Sequence, residues 1–399
     1  KFLKIFNLKF RRIIMKADAV IVGSGIVGMS LAISLSRQNK KVIIIEKNFS
    51  KNLNNNRFYA LSEKTRTFFE NINIWNNIKN VNSLHEMHLY YRNFENRNMI
   101  NFRRDDIQKK NIGYIAQSKE IMKALINEIE KDNNINLYDN CLIEKIDNHD
   151  MEIELSTDDK KNIISRYLFS CEGSKSNIKK IFGIKNIIDD YASKAMVFNI
   201  EHEKSNRNSA IQIFLETGPV AFLPISAYRS SMVISIKNRF GDREMFNNNN
   251  ICNYLEKITN NNFGVIKADS KIITFNLVGF DSETYKHENI IFVGDSAHSV
   301  HPLAGMGLNL GISDVSAIDN TFANKKQIFE DKSFFSDYAR NQKIINKQAR
   351  QQLKLIEKAY SIENDIANKV INITMKSIEK SDFLKDGIIK YANNNISFF

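Results

Sequence analysis

Asn289–Asp314, NIIFVGDSAHSVHPLAGMGLNLGISD, gathers carboxylates, histidines and glycines into one short stretch of the chain. Ile290–Val293 is an apolar run with β-branched members, which suits a buried strand. Gly294-Asp295 ends it and places a carboxylate at the strand's carboxyl end, where open α/β sheets bind ligands. Beyond His301-Pro302, Gly305, Gly307 and Gly311 lie in a nearly uncharged segment at the expected start of a helix. There, backbone N–H groups can approach a flat or anionic ligand closely. Asp295, His298 and His301 share a three-residue spacing that resembles a metal set. The strand-and-turn signature and the proline after His301 argue against it, so no metal is expected.

A second nucleotide signature opens the chain. Ala19–Val22 reads as a strand running into Gly23-Ser24-Gly25-Ile26-Val27-Gly28, then into a helical pattern with Leu31, Ile33 and Leu35. Asn39 stands where a left-handed cap would end that helix, and Val42–Ile45 gives a second strand ending in Glu46. In this context Gly23 makes the turn, Gly25 admits a pyrophosphate, Gly28 allows close helix–strand packing, and Glu46 can accept ribose hydroxyls. The bland reading is a glycine turn with no ligand.

The elements that must hold these residues follow along the chain. Arg57–Ser62 leads into a helix ending near Trp75, the only tryptophan. Residues 84–91 alternate as a strand, and Ile112–Ala116 leads through Gln117 to Ser118, a helix N-cap by type. Residues 135–146 and 151–156 read as strands joined by a polar turn, and Ile163–Ser170 as a third that ends in Cys171-Glu172-Gly173. Five runs, Met196–Ile200, Ala210–Phe214, Ala221–Ile225, Met232–Ile236 and Ile272–Val278, point to a mostly antiparallel sheet forming one wall of a pocket. From Ser333 the chain is helical, with Ile345, Ala349, Leu353, Ile356 and Tyr360 on one face. That face packs on the lobes or meets a membrane or partner.

The fold class expected is mixed α/β: a Rossmann-like lobe interleaved with a β-sheet substrate lobe, plus carboxy-terminal helices. The division expected is 15–80, 111–190 and 286–330 for the nucleotide lobe, 81–110 and 191–285 for the substrate lobe, and 331–399 for the helical region.

Composition narrows the class. The net charge of +12 follows from abundant Lys in an Asn-, Lys- and Ile-rich chain with only 3 prolines, and no nucleic-acid module accompanies it. A solvated basic surface is the first reading and a weak preference for a membrane surface the second. Cys141, Cys171 and Cys252 are isolated, so neither a disulfide framework nor a cysteine metal site is expected. No apolar stretch is long enough to span a bilayer. A cytoplasmic location is expected, with a peripheral place on the inner membrane face as the variant. Residues 1–14 are basic and apolar without a small-residue cleavage site, so they read as an upstream extension or a basic arm rather than a secretory signal.

Taken together, MKADAVIVGSGIVG, RFYALS, IGYIAQSKEIMKAL, YLFSCEGSKS, AIQIFLETGPVAFLPI and VGDSAHSVHPLAGMGLNLGISD resemble the class A flavoprotein aromatic hydroxylases, and within them the ubiquinone-biosynthesis branch, over roughly 16–385. The resemblance implies that Gly23, Gly25, Gly28, Glu46, Arg57 and Gln117 hold the adenosine and pyrophosphate of FAD. By the same resemblance Asp295 takes the ribityl chain, and Pro302 with Gly305, Met306, Gly307, Leu308 and Asn309 lines the isoalloxazine ring. Glu172-Gly173 stands where the family has Asp-Gly, a pair tied to nucleotide and NAD(P)H handling. Met306 replaces a common glutamine, and Ile213 a polar or basic residue.

The implied chemistry is NAD(P)H reduction of FAD, O₂ addition at flavin C4a, and oxygen transfer to a polyprenylated phenol or quinol lying against Gln212, Phe214, Leu223 and Pro224. No side chain stands out as an obligatory base, and the catalytic residue is left unassigned. The rival readings are a related flavoprotein reductase and a catalytically inactive FAD-binding accessory protein of a biosynthetic complex.

Overall fold

The computed structural model describes residues 14–49, 57–92, 94, 99–107, 111–241, 246, 250–300, 306–323, 329, 331–361, 365–379, 381 and 385. Strands and helices are numbered along the chain. The nucleotide-side sheet contains β1 (Ile14–Val22), β2 (Val42–Ile45), β8 (Ile135–Tyr138), β9 (Ile143–Asn148), β10 (Ile153–Thr157), β11 (Asn162–Ser170), β18 (Lys286–His287) and β19 (Ile290–Phe292). Its order is β18-β19-β11-β1-β2-β8, with β10 also paired to β11 and β9. The strands β19, β11, β1, β2 and β8 run parallel, each to its neighbour. Val42, Ile43, Ile44 and Ile45 are all buried, as a strand covered on both faces requires.

The expected strand over 135–146 is two strands. Asn140 takes a left-handed φ of 52°, and the Cys141 N–H donates to the Glu46 carbonyl. The chain thereby leaves its parallel pairing with β2 and turns back as β9, antiparallel to β10. Asp139-Asn140 is a turn signal set inside an otherwise continuous pattern.

The second sheet is formed by β5 (Glu86–Tyr91), β6 (Met99–Arg103), β12 (Asn186–His202), β13 (Ser209–Leu215), β14 (Gly218–Ser226), β15 (Arg229–Lys237), β16 (Ile266–Ala268), β17 (Ile273–Ser282) and β20 (His298–Ser299). Its order is β20-β17-β12-β15-β14-β13-β5-β6, antiparallel except for β13 against β5. β12 begins ten residues before the apolar run at Met196. Its first half pairs only with β17, crosses a register shift after Asp190, and leaves Ile187 and Ile188 exposed, so no hydrophobic alternation marks it. A third, small sheet of β3 (Phe58–Leu61), β4 (Asn82–Leu84) and β7 (Gly113–Gln117) lies in order β3-β7-β4.

The helices are α1 (Ile26–Arg37), α2 (Glu63–Asn71), α3 (Ser118–Ile129), α4 (Asn177–Ile181), α5 (Ile251–Ile258), α6 (Met306–Ala323), α7 (Ser336–Ser361) and α8 (Asp365–Glu379). Gln117, not Ser118, occupies the N-cap position of α3, without a side-chain capping bond, and Ser118 is its first helical residue. Ile21, Leu31, Leu35, Phe69, Tyr167 and Val315 share the core that joins the nucleotide sheet to α1, α2 and α6. Phe198, Ile213, Phe222, Met232 and Ile234 form a separate core on one face of the second sheet.

Candidate flavin site

β1 delivers Gly23 at φ +108°, where a side chain would stand 2.4 Å from the Cys171 carbonyl oxygen. A Cβ on Gly28 would meet the Gly23 carbonyl oxygen at 2.0 Å. α1 therefore starts against the turn because neither position carries a side chain. Gly25 differs: a Cβ there meets nothing within 4 Å, and the same holds for Gly307 and Gly173. Open space beside the backbone is what the approach of a flat or anionic group needs.

Glu46 lies buried at the end of β2 and turns back to the glycine turn. Its Oε2 accepts from the Ser24 backbone N–H at 2.8 Å and from the Ser24 hydroxyl at 3.0 Å, and its Oε1 from the Asn48 N–H at 2.9 Å. Arg57 and Gln117 are neighbours across the small sheet, since Phe58 pairs with Gln117 and the Ser118 N–H donates to the Arg57 carbonyl at 2.8 Å. The Arg57 guanidinium lies 5.5 Å from the Phe275 ring centre on β17.

Asp295 follows β19 on the turn Gly294–Ser296. Gly294 has φ +60°, and its Cα side faces Val27 of α1 and Gly311 of α6. Asp295 is exposed, yet protein surrounds its carboxyl closely. That walling, with the Asp314 carboxylate, raises its pKa against the opposing pull of His298 and Arg57. His298 is buried and its Nε2 lies 2.7 Å from Asp314 Oδ2, so its ring nitrogen serves a carboxylate of α6. His301, Pro302 and Gly305 lie outside the described residues, so the last part of the expected ring-lining set is Met306–Asn309.

Those four residues open α6 and differ in what they offer. Met306 is fully buried against Val300, Leu310, Ala349 and Leu353, and Leu308 packs into the main core. Gly307 is open. Asn309 is engaged by the protein itself: its Oδ1 accepts from the Ser62 N–H at 3.0 Å and the Thr65 hydroxyl at 2.7 Å, and its Nδ2 donates to the Ala60 carbonyl at 2.9 Å. Its side chain fixes the start of α6 to the β3–α2 junction.

Glu172 has found a use for its extra methylene. Its carboxylate accepts from the Ser176 hydroxyl at 2.6 Å, the Ile178 N–H at 3.1 Å, the Asn177 N–H at 3.2 Å and the Ser170 hydroxyl at 3.2 Å. It caps α4. The Ser170 hydroxyl also reaches the Ser296 hydroxyl at 3.1 Å, which joins the Glu172-Gly173 turn to the Asp295 turn.

On the other side lies a narrow apolar cavity of about 30 Å³, lined by residues of β3, β4, β5, β7, β13 and β14, among them Ala60, Leu84, Met87, Ile112, Gln212 and Leu223. Gln212 is its polar side chain. Phe214, on the same face of β13, packs towards Val300, Met306 and Leu310. Pro224 is buried, and its carbonyl accepts the Asn82 amide at 2.8 Å. Ile213 points the other way, fully buried in the second core, so its departure from the family does not touch the cavity. A larger open cleft of about 600 Å³, lined by Glu63, Arg66, Trp75 and Tyr114 among others, meets none of the expected cofactor or substrate residues. Chemistry rather than volume assigns the site.

Sequence reasoning missed five participants. Asp314 closes the stretch it singled out without receiving a role. Gln342, Asn346, Arg350 and Lys354 recur every four residues on α7 as a polar seam beside the apolar face. Gln342 donates to the Ser313 carbonyl at 3.2 Å and Asn346 to Asp314 at 3.3 Å. Arg350 lies 3.0 Å from Asp189 and 3.4 Å from Asp281, and Lys354 2.5 Å from Asp189. The four-residue spacing was the available signal.

An FAD binding domain model matches residues 16–351. The chain belongs to that family. A ubiquinone biosynthesis monooxygenase COQ6 of Mus musculus is 24% identical over 355 residues, covering 75% of this chain and 74% of the relative. The 3-demethoxyubiquinol 3-hydroxylase of Escherichia coli is 24% identical over 319 residues, covering 78% and 81%. Among solved structures, p-nitrophenol 4-monooxygenase PnpA from Pseudomonas putida superposes with a TM-score of 0.78 at 12% identity, covering 95% of this chain and 98% of that one. PqsL from Pseudomonas aeruginosa, a probable FAD-dependent monooxygenase, gives 0.72 at 17% identity, covering 94% and 99%. The chain has the Rossmann-like fold of these flavoproteins and is an FAD-dependent enzyme of the aromatic-ring monooxygenase class. The open space at Gly25 and Gly307 and the exposed Asp295 leave room for such a cofactor.

Proposed function

We propose that this enzyme hydroxylates the aromatic ring of a polyprenylated phenol or quinol precursor of ubiquinone, with NAD(P)H as reductant and O₂ as oxidant. One observation carries the reading. Ala60 lines the apolar cavity, and its carbonyl accepts the Asn309 side chain, so the cavity abuts the start of α6 across a single residue. A ring in the cavity would lie against a flavin on the α6 turn. When bound and reduced, FAD supplies the activation of O₂.

The chain's own residues do the rest. Gln212 is placed to orient a ring oxygen, while Leu84, Met87, Ile112 and Leu223 exclude water. About 150 Å³ holds a benzene ring in an engineered cavity, so Met87 and its neighbours must move aside to admit one here. The backbone N–H groups at the start of α6 aim positive charge at the ring-facing side of the turn.

No helix among the described residues is long and apolar enough to cross a membrane. Exposed Ile344 and Leu355 lie beside exposed Arg340, Lys347 and Lys358 on the outer side of α7, which supports peripheral contact with an anionic bilayer as the route of a lipophilic substrate. Sedimentation with anionic vesicles measures that contact.

The activity is tested by NAD(P)H oxidation with FAD-loaded protein, with and without a prenylated phenol, following product mass. Gain of one oxygen atom coupled to NAD(P)H loss is expected. Bound FAD that neither nicotinamide reduces would sink the NAD(P)H step.

A further inference from the structure

We propose that the buried His298–Asp314 pair is a latch that couples the two halves of the flavin site and makes cofactor retention fall as pH rises, a positioning role that rests on the flavin reading above. Asp314, fully buried on α6, gathers donors from three elements: the Gly294 N–H at 2.8 Å, His298 Nε2 at 2.7 Å and Asn346 Nδ2 at 3.3 Å. Gly294 and His298 bracket Asp295, so one carboxylate grips both ends of the turn that presents it. The same helix starts at Met306 and is locked to β3 by Asn309. The ribityl-facing turn and the ring-facing helix start are thereby held as one body.

Every charged or titratable group around His298 bears on its state. Asp314 faces it from α6, Asp295 from its own turn and Lys179 from α4. The Tyr285 ring stacks on it at 5.8 Å, and the Tyr285 hydroxyl donates to Asp281 at 2.8 Å. Asp281 is the ladder partner of His298 and is itself approached by Arg350 of α7. Burial works against the imidazolium, but contact with Asp314 and the nearby Asp295 outweigh it and hold the His298 pKa above the ordinary histidine value. The raised pKa favours the imidazolium, whose charge offsets two carboxylates beside a cofactor whose pyrophosphate is anionic. Its contribution is complete below the ordinary histidine range and is lost as pH climbs through the raised value. Deprotonation leaves Asp295 and Asp314 facing each other uncompensated, which loosens the turn. Buried ion pairs add little stability over apolar replacements, so organisation of the site is the better account of this one.

The measurement is FAD affinity of the full-length apoprotein, read by quenching of flavin fluorescence between about pH 6 and pH 9. The wild type should weaken at least roughly tenfold across that window. His298→Gln keeps a donor for Asp314 but no charge. It should bind at low pH about as weakly as the wild type does at high pH, with no slope. A flat wild-type profile overturns the latch, and this arm needs no variant. A slope that persists in His298→Gln also overturns it and assigns the titration to Lys179, which burial pulls down to about 8 against the opposing Glu172. Should that variant fail to fold, Asp314→Asn takes its place, with the same outcomes. No FAD uptake by the wild type at any pH overturns the flavin reading itself.

Discussion

Around the glycine turn, space is decided by backbone: Gly28 faces a carbonyl oxygen 2.0 Å from where its Cβ would be, and Gly25 faces nothing within 4 Å. Along β13 and β14, space is decided by alternation: Gln212 and Leu223 face the cavity while Ile213 and Phe222 fill a core on the opposite face. The first arrangement tolerates almost no change in residue type. The second tolerates many, because the strand period alone keeps the two faces apart. A cofactor pole and a substrate wall therefore constrain their sequences very differently.

The sharpest way to break this contrast is Gly28→Ala. One methyl should displace α1 from the turn and abolish flavin uptake, whereas Gly25→Ala should leave the melting temperature nearly unchanged and weaken FAD alone. Equal losses of melting temperature in the two variants would refute the assigned roles. Next in size, Ile213→Ala should destabilise by about 2–5 kcal/mol in denaturant titration through loss of a fully buried side chain. Its flavin affinity in the folded state should stay at the wild-type value.

Asp295→Asn should leave stability intact but weaken FAD roughly ten- to a hundredfold, the value of a charge-assisted hydrogen bond, measured by fluorescence titration. The smallest effect on the protein is expected of Gln212→Leu, with a stability change within about 1.5 kcal/mol. Steady-state kinetics should show its defect in turnover and KM for the phenol, with bound flavin unaffected. Loss of flavin in this last variant would erase the distinction between pole and wall.

The same contrast explains what could be read from the residues alone. The glycine turn, Glu46 and the Asp295 turn were legible because backbone geometry restricts residue type at fixed spacing. The central strands β1, β2, β11 and β19 were legible as short apolar runs. The break between β8 and β9 was not, because Asp139-Asn140 interrupts a pattern that apolar residues resume on both sides. The polar half of β12 was hidden for a related reason: a strand paired along one edge and exposed on its face carries no alternation. The bonds of Glu172 to the start of α4 left no trace in the sequence, because a position says nothing of which donors a longer side chain can reach. The seam on α7 is masked in the sequence by the stronger periodicity of the apolar face beside it. Arg350 closes across two strands far away in sequence, and a contact of that kind leaves no local trace.

β11 stands between β1 and β19 in the parallel sheet, and Asp314 with Asn346 ties the Asp295 turn to a helix near the end of the chain. In chain order β1, its glycine turn and β2 form together, whereas β11 on the other edge of β1 comes much later, β19 later again, and the tie to α7 later still. The cradle therefore keeps an unpaired edge until long-range contacts close it, and its two halves are joined by the contacts of highest sequence separation.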